Sequence, residues 1–135
     1  MVLACVVTLL STCTKDKGTP DYEGYPEDVG KIIVNKCATS GCHTSISKDA
    51  CAGIDLSTWE KLFEGGRNNS SVIPYRPDQS FLLFSINTFD DIGPRLEPTM
   101  PANKPHLSRG EVEIIRDWIA EGAPKLVNLN SSTKP

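Results

Sequence analysis

The sequence is poor in the side chains that usually carry chemistry. His43 and His106 are its two histidines, and Met100 is its one methionine beyond Met1. A site that needs an imidazole or a thioether therefore has few places to sit. No Ser-His-Asp set and no carboxylate pair stands out, so neither hydrolytic constellation has a carrier, and an enzyme is not expected. Basic charge is also scarce. The 14 Lys and Arg against 17 Asp and Glu give a net charge of −3, which leaves no footprint for nucleic acid. A partner docking by charge would itself be basic. The apolar run Val2 to Leu10 has nine residues, whereas a helix that spans a bilayer needs about 20. No stretch alternates apolar and polar residues convincingly, so little or no sheet is expected. There is no internal repeat.

What is present suits one small domain. A chain of 135 residues holds one domain of ordinary size. Its 39% hydrophobic and 23% charged residues, with ten Gly and ten Pro, fit a loop-rich globular fold. The Val2–Leu10 run is too short to span but long enough for the core of a secretory signal. It ends in Leu10-Ser11-Thr12-Cys13, which resembles the lipobox of bacterial lipoproteins, where the cysteine is lipidated and becomes the first mature residue. That resemblance makes Cys13 the candidate lipid anchor. It implies an exported protein in the periplasm or on the outer surface, held to a membrane. The expected organisation is a signal and lipobox over 1–13, a polar tether over 14–24, a domain over 25–127 and a flexible tail over 128–135.

Four helices are expected, giving an all-α domain. The first starts near Pro26, which suits a first turn, with Glu27 and Asp28 at the positive helix end. Val29, Ile32 and Ile33 share one face, and Cys37 continues it one turn later. The second opens on Ser57-Thr58-Trp59-Glu60, a capping-box pattern, and stops at Gly65-Gly66. The third follows Pro77-Asp78 and carries Phe81, Leu82, Phe84 and Ile86. The fourth opens on a second capping box, Ser108-Arg109-Gly110-Glu111. It carries the stripe Val112, Ile115, Trp118 and Ile119, and ends at Gly122. Trp118 is expected to pack against the first helix.

The chemistry gathers at Cys37-Ala38-Thr39-Ser40-Gly41-Cys42-His43. Two cysteines followed directly by histidine is the arrangement that fixes a c-type haem. The two sulfurs bond to the two vinyl groups, and the next residue lays an imidazole on the iron. The usual spacer between the cysteines is two residues; here it is four, with Gly41 easing the path before Cys42. Other readings of the segment stand beside this one. Cys37 and Cys42 could form a disulfide, or Cys37, Cys42, His43 and Cys51 could bind zinc. Cys51 is otherwise a free thiol or an intermolecular bridge. An odd cysteine count in an exported chain speaks against a simple disulfide framework.

Met100 supplies a second half to the pattern. It lies in Pro94-Arg95-Leu96-Glu97-Pro98-Thr99-Met100-Pro101, where prolines stiffen the chain. A stiff loop can present a thioether without help from a helix, and Met opposite His is a ligand pair of cytochromes c. A lone methionine more commonly fills core space, but a position between prolines favours the ligand. His106 is the alternative sixth ligand. It lies just before the last helix and is expected at the surface. Arg67, Arg76, Arg95 and Lys104 are candidate partners for haem propionates.

In order and spacing these segments resemble a class I cytochrome c, and more narrowly the small cytochrome c-like domains of the Bacteroidetes and Planctomycetes. The likeness rests on Lys36–His43, Ala52-Gly53-Ile54-Asp55-Leu56-Ser57, Ser71-Val72-Ile73-Pro74, Met100-Pro101 and Ile115-Arg116-Asp117-Trp118-Ile119. It spans the whole presumed domain. The resemblance implies a cytochrome c-like fold wrapped around one covalent haem c, attached through Cys37 and Cys42 with His43 and Met100 on the iron. It implies electron transfer with redox partner proteins of a respiratory or other chain. Two alternatives stay open: a haem enzyme or gas sensor with an open sixth site, and a non-haem, disulfide-containing lipoprotein that binds a partner.

Overall fold

Four α-helices frame the described residues, which are 21–67 and 70–127 of the computed structural model. The segment expected as signal and lipobox, with Cys13, lies outside them, as do the tether up to residue 20 and the tail 128–135. The helices are α1 (Glu27–Ile32), α2 (Trp59–Glu64), α3 (Phe81–Ile86) and α4 (Arg109–Ala120). Among the described residues there is no β-sheet, so the all-α expectation holds at that level.

The longest helix is the one the sequence marks best. Ser108 accepts the Glu111 amide, and the Glu111 side chain accepts the Ser108 amide, so both halves of the capping box form. Val112, Ile115, Trp118 and Ile119 are buried along one stripe, and burying each such apolar side chain contributes about 1.5–3 kcal/mol. Gly122, at φ +98°, turns the chain out of the helix. α1 and α3 both pack on α4. Tyr25, just before α1, meets the Trp118 ring edge-on with centroids 6.2 Å apart.

The end of α1 departs from an ordinary helix. Ile33–Cys37 forms a π-helical turn, closed by the Ala38 amide on the Ile33 carbonyl at 2.9 Å. Such a turn takes in one extra residue and is common at functional sites. It leaves Cys37 buried, with Val29, Ile32 and Ile33, in the main core.

Two boundaries differ from the sequence reading. Thr58, not Ser57, caps α2. Ser57 is already committed to Asp55, giving its amide at 3.0 Å and its hydroxyl at 2.6 Å to the same carboxylate oxygen. Thr58 takes the extended backbone of a cap, and its hydroxyl accepts the Lys61 amide at 3.1 Å. The second difference is where the domain begins. Residues 21–24, expected as tether, belong to the fold. The Glu23 carbonyl accepts the Trp59 amide at 2.9 Å, and the Gly24 carbonyl accepts the Leu126 amide at 2.8 Å. Tyr22 lies over Gly30, where a Cβ would fall 2.2 Å from the Tyr22 Cβ. The bare α-carbon in α1 is what admits that ring.

Candidate functional site

One cavity of about 660 Å3 collects the chemistry. Its walls come from the π-turn and the loop behind it, the strap around Ile54, helix α3 and the proline-rich loop ahead of α4. Cys37, Cys42, His43 and Met100 all line it, and so does Cys51. Much of the remaining wall is apolar, with Ile54, Leu56, Leu82 and Ile86 among its residues. Pockets for sizeable organic ligands run from about 300 to 1,000 Å3 and are largely apolar with a few placed polar groups.

The cysteine loop is held by its own backbone. The Cys42 amide donates to Thr39 at 2.9 Å, and the His43 amide reaches back to the Cys37 carbonyl at 3.2 Å. Gly41 sits at φ +78°, a conformation that residues with a Cβ rarely adopt, which accounts for a glycine directly before Cys42. Cys37 is buried, and burial pushes its thiol up to about 11 against the opposing pull of the Lys104 and Lys36 charges.

His43 is oriented from behind. Its Nδ1 lies 3.3 Å from the Ile54 carbonyl. A carbonyl can only accept, so the proton sits on Nδ1 and the Nε2 lone pair is left free. Burial lowers the His43 pKa, and the Ile54 carbonyl pulls part of that back. The ring is therefore neutral near pH 7, the state in which an imidazole ligates a metal.

Met100 hangs on α3. Its amide donates to the Ser85 carbonyl at 2.7 Å, and Leu96, earlier in the same loop, donates to Phe84 at 3.0 Å. The side chain is half-buried. Asn87 shapes the loop between these elements. Fully buried, it donates through Nδ2 to the Gly93 carbonyl at 2.9 Å and accepts the Phe89 amide at 2.9 Å. The sequence reading passed over Asn87. A polar residue closing the apolar run of α3 is the signal that marks it.

Other candidates fall away from the cavity. His106 is exposed and takes no part in the lining. None of the four propionate candidates lines it either. Arg76 pairs with Asp78 at 3.0 Å and Arg95 with Asp90 at 2.8 Å. Arg67 donates to the Asp49 carbonyl, and Lys104 to the Thr39 hydroxyl at 2.8 Å. Lys36 is the cationic residue that does line the cavity, and it is paired with Glu111 of α4. Cys37, Cys42 and Cys51 are free thiols, with no disulfide among the described residues. Among the same residues, no three His, Cys, Asp or Glu side chains converge as a metal-binding group.

No family model, curated protein or solved structure matches this chain.

Proposed function

We propose that the chain is an exported, single-haem c-type cytochrome that carries electrons and is held to a membrane by lipid on Cys13. The observation that carries the reading is the shared cavity. Cys37, Cys42 and His43 come from one end of the domain sequence and Met100 from the other, yet all four line the same apolar space.

The donor set fits haem c. Cys37 and Cys42 would hold the two vinyl positions as thioethers, and His43 Nε2 and the Met100 sulfur would ligate the iron. One-electron redox chemistry is what the group supplies when bound, at a potential set by ligand identity and burial. The chain's own part is to hold and to exclude. The Ile54 carbonyl fixes the tautomer and tilt of His43. The Ser85 carbonyl anchors Met100. Leu82, Ile86 and Leu56 give the space between an apolar wall. A thioether ligand favours the reduced state and raises the potential. The acidic net charge of −3 suits a redox partner that docks through a basic face.

Expression of the full chain with a haem c maturation apparatus tests this. The purified protein should be heavier by one haem, and acid-acetone should fail to extract it. Cys42→Ala should lose most of the haem protein. A wild type without haem, or with haem that washes out, leaves a partner-binding lipoprotein in its place. A high-spin spectrum with rapid carbon monoxide binding would point to a sensor or enzyme.

A further inference from the structure

Asp55 is 3% exposed and lies outside the set of residues that line the cavity. All of its resolved partners are hydroxyls and an amide. Oδ1 accepts the Ser57 amide at 3.0 Å and the Ser57 hydroxyl at 2.6 Å, and Oδ2 accepts the Ser45 hydroxyl at 2.5 Å. Burial alone would raise its pKa. The donors from Ser45 and Ser57, with the Lys48 charge, outweigh that and hold it below the usual carboxylate range, so the group is an anion at neutral pH.

Ser45 is two residues past His43, and Asp55 directly follows Ile54, whose carbonyl holds the His43 ring. Two further bonds join the same two segments: the Leu56 amide donates to the His43 carbonyl at 2.9 Å, and His43 Nδ1 faces the Ile54 carbonyl at 3.3 Å. The contacts between strap and histidine loop are thus one backbone bond, one ring bond and one carboxylate bond. The ring bond is the longest of the three. It needs its carbonyl held still, because a neutral N–H on a carbonyl stabilises less than a bond to a charged group. Behind the strap, the Tyr25 hydroxyl lies 2.9 Å from the Thr58 carbonyl and 3.2 Å from that of Leu56. The strap is therefore also tied down just past Ile54, at Leu56 and Thr58.

We infer that Asp55 is a positioning residue for His43: its carboxylate clamps the histidine loop to the strap, so that the Ile54 carbonyl keeps the ring in one tautomer with Nε2 turned to the cavity. The inference deepens the haem reading and rests on it for the identity of what Nε2 meets. Asp55 touches neither ligand nor iron. It acts through Ile54, as the partner behind a metal-bound histidine commonly does.

The test compares the full-length wild type with Asp55→Ala, Asp55→Asn and Ser45→Ala. The first readout is the exchange rate of the His43 Nδ1 proton by nitrogen-edited NMR, with or without haem. Asp55→Ala should speed exchange by about ten- to a hundredfold, as loss of charge-assisted bonds predicts. Ser45→Ala, which removes the cross-link and leaves the Ser57 turn, should speed it too. Asp55→Asn keeps an acceptor and should rescue much of the effect. The second readout is the potential of the haem-loaded protein, which should shift in the same rank order. Should Asp55→Ala fail to fold, Ser45→Ala decides the matter. Unchanged exchange and unchanged potential in a folded Ser45→Ala protein overturn the inference. A wild type that takes up no haem sinks the cytochrome reading instead, and the proton exchange still shows whether Asp55 holds the ring.

Discussion

The amide of Met100 donates to the carbonyl of Ser85 at 2.7 Å, so the proline-rich loop is suspended from the C-terminal half of α3. Backbone rather than side chain sets the depth of Met100. Its thioether is free to vary without the loop letting go.

Met100→Ala should accordingly leave the fold intact and change the iron. In the haem-loaded protein it should lower the reduction potential, abolish the weak near-infrared sulfur-to-iron band and admit carbon monoxide or cyanide. Met100→His should restore a low-spin spectrum at a potential below the wild type. His106→Ala should alter none of these, since that side chain is exposed and outside the cavity. If His106→Ala opens the iron and Met100→Ala does not, the ligand pair is bis-histidine.

The thiols should separate by alkylation. Without haem, Cys37 should react last. It is buried, and a thiol raised to about 11 is thiolate in only about one molecule in a thousand at pH 8. Its labelling rate should climb about tenfold per pH unit below that value. After haem loading and denaturation, peptide mapping should find Cys51 labelled and both Cys37 and Cys42 blocked. Full labelling of either of those two would remove it from the attachment site.

Helix α4 offers a stability series with its own control. Ile115 is 1% exposed, and Ile115→Ala should cost about 2–5 kcal/mol in urea unfolding. Ser108→Ala, which takes one half of the capping box, should cost about 1 kcal/mol. Ile114, next in the chain to Ile115 but 38% exposed, should lose less than either when changed to alanine. Equal losses at Ile114 and Ile115 would mean the helix presents a different face.

The membrane anchor is tested at Cys13. The wild type should carry lipid and partition with membranes. Cys13→Ser should yield a soluble exported form or an unprocessed precursor. Normal processing and unchanged fractionation of that variant would end the lipoprotein reading and leave the haem reading untouched.

Where one residue type has one physical reason to occur, the sequence was easy to read. The Ser108–Glu111 box and the stripe to Ile119 mark α4 because capping and periodicity agree there. Gly65 and Gly41 sit at positive φ, as their places after α2 and before Cys42 suggest. The convergence of His43 and Met100 on one cavity was legible only as a pattern of ligand types, since spacing says nothing of what the fold brings together. The clamp at Asp55 and the loop support from Asn87 were not legible. A lone Asp before Leu-Ser, or a lone Asn after an apolar run, has many ordinary uses, and only the hydrogen-bond partners that the folded loops bring to them single them out. The cap of α2 falls one residue later than the pattern predicts, because Ser57 and Thr58 are both good caps. The competing Asp55 carboxylate decides between them.

The Gly24 carbonyl bonded to the Leu126 amide brings entry and exit of the domain together. Chain on either side leaves through one seam, like the two wires of a plug. The domain can therefore be spliced into a surface loop of a host protein, or carry fusions at both ends, without its helices being pulled apart. Neighbouring termini of this kind also tolerate circular permutation. A permutant that joins Val127 to Asp21 by a linker, and so keeps Tyr22 and Glu23, and opens at the exposed residue Ile46 should keep the same core.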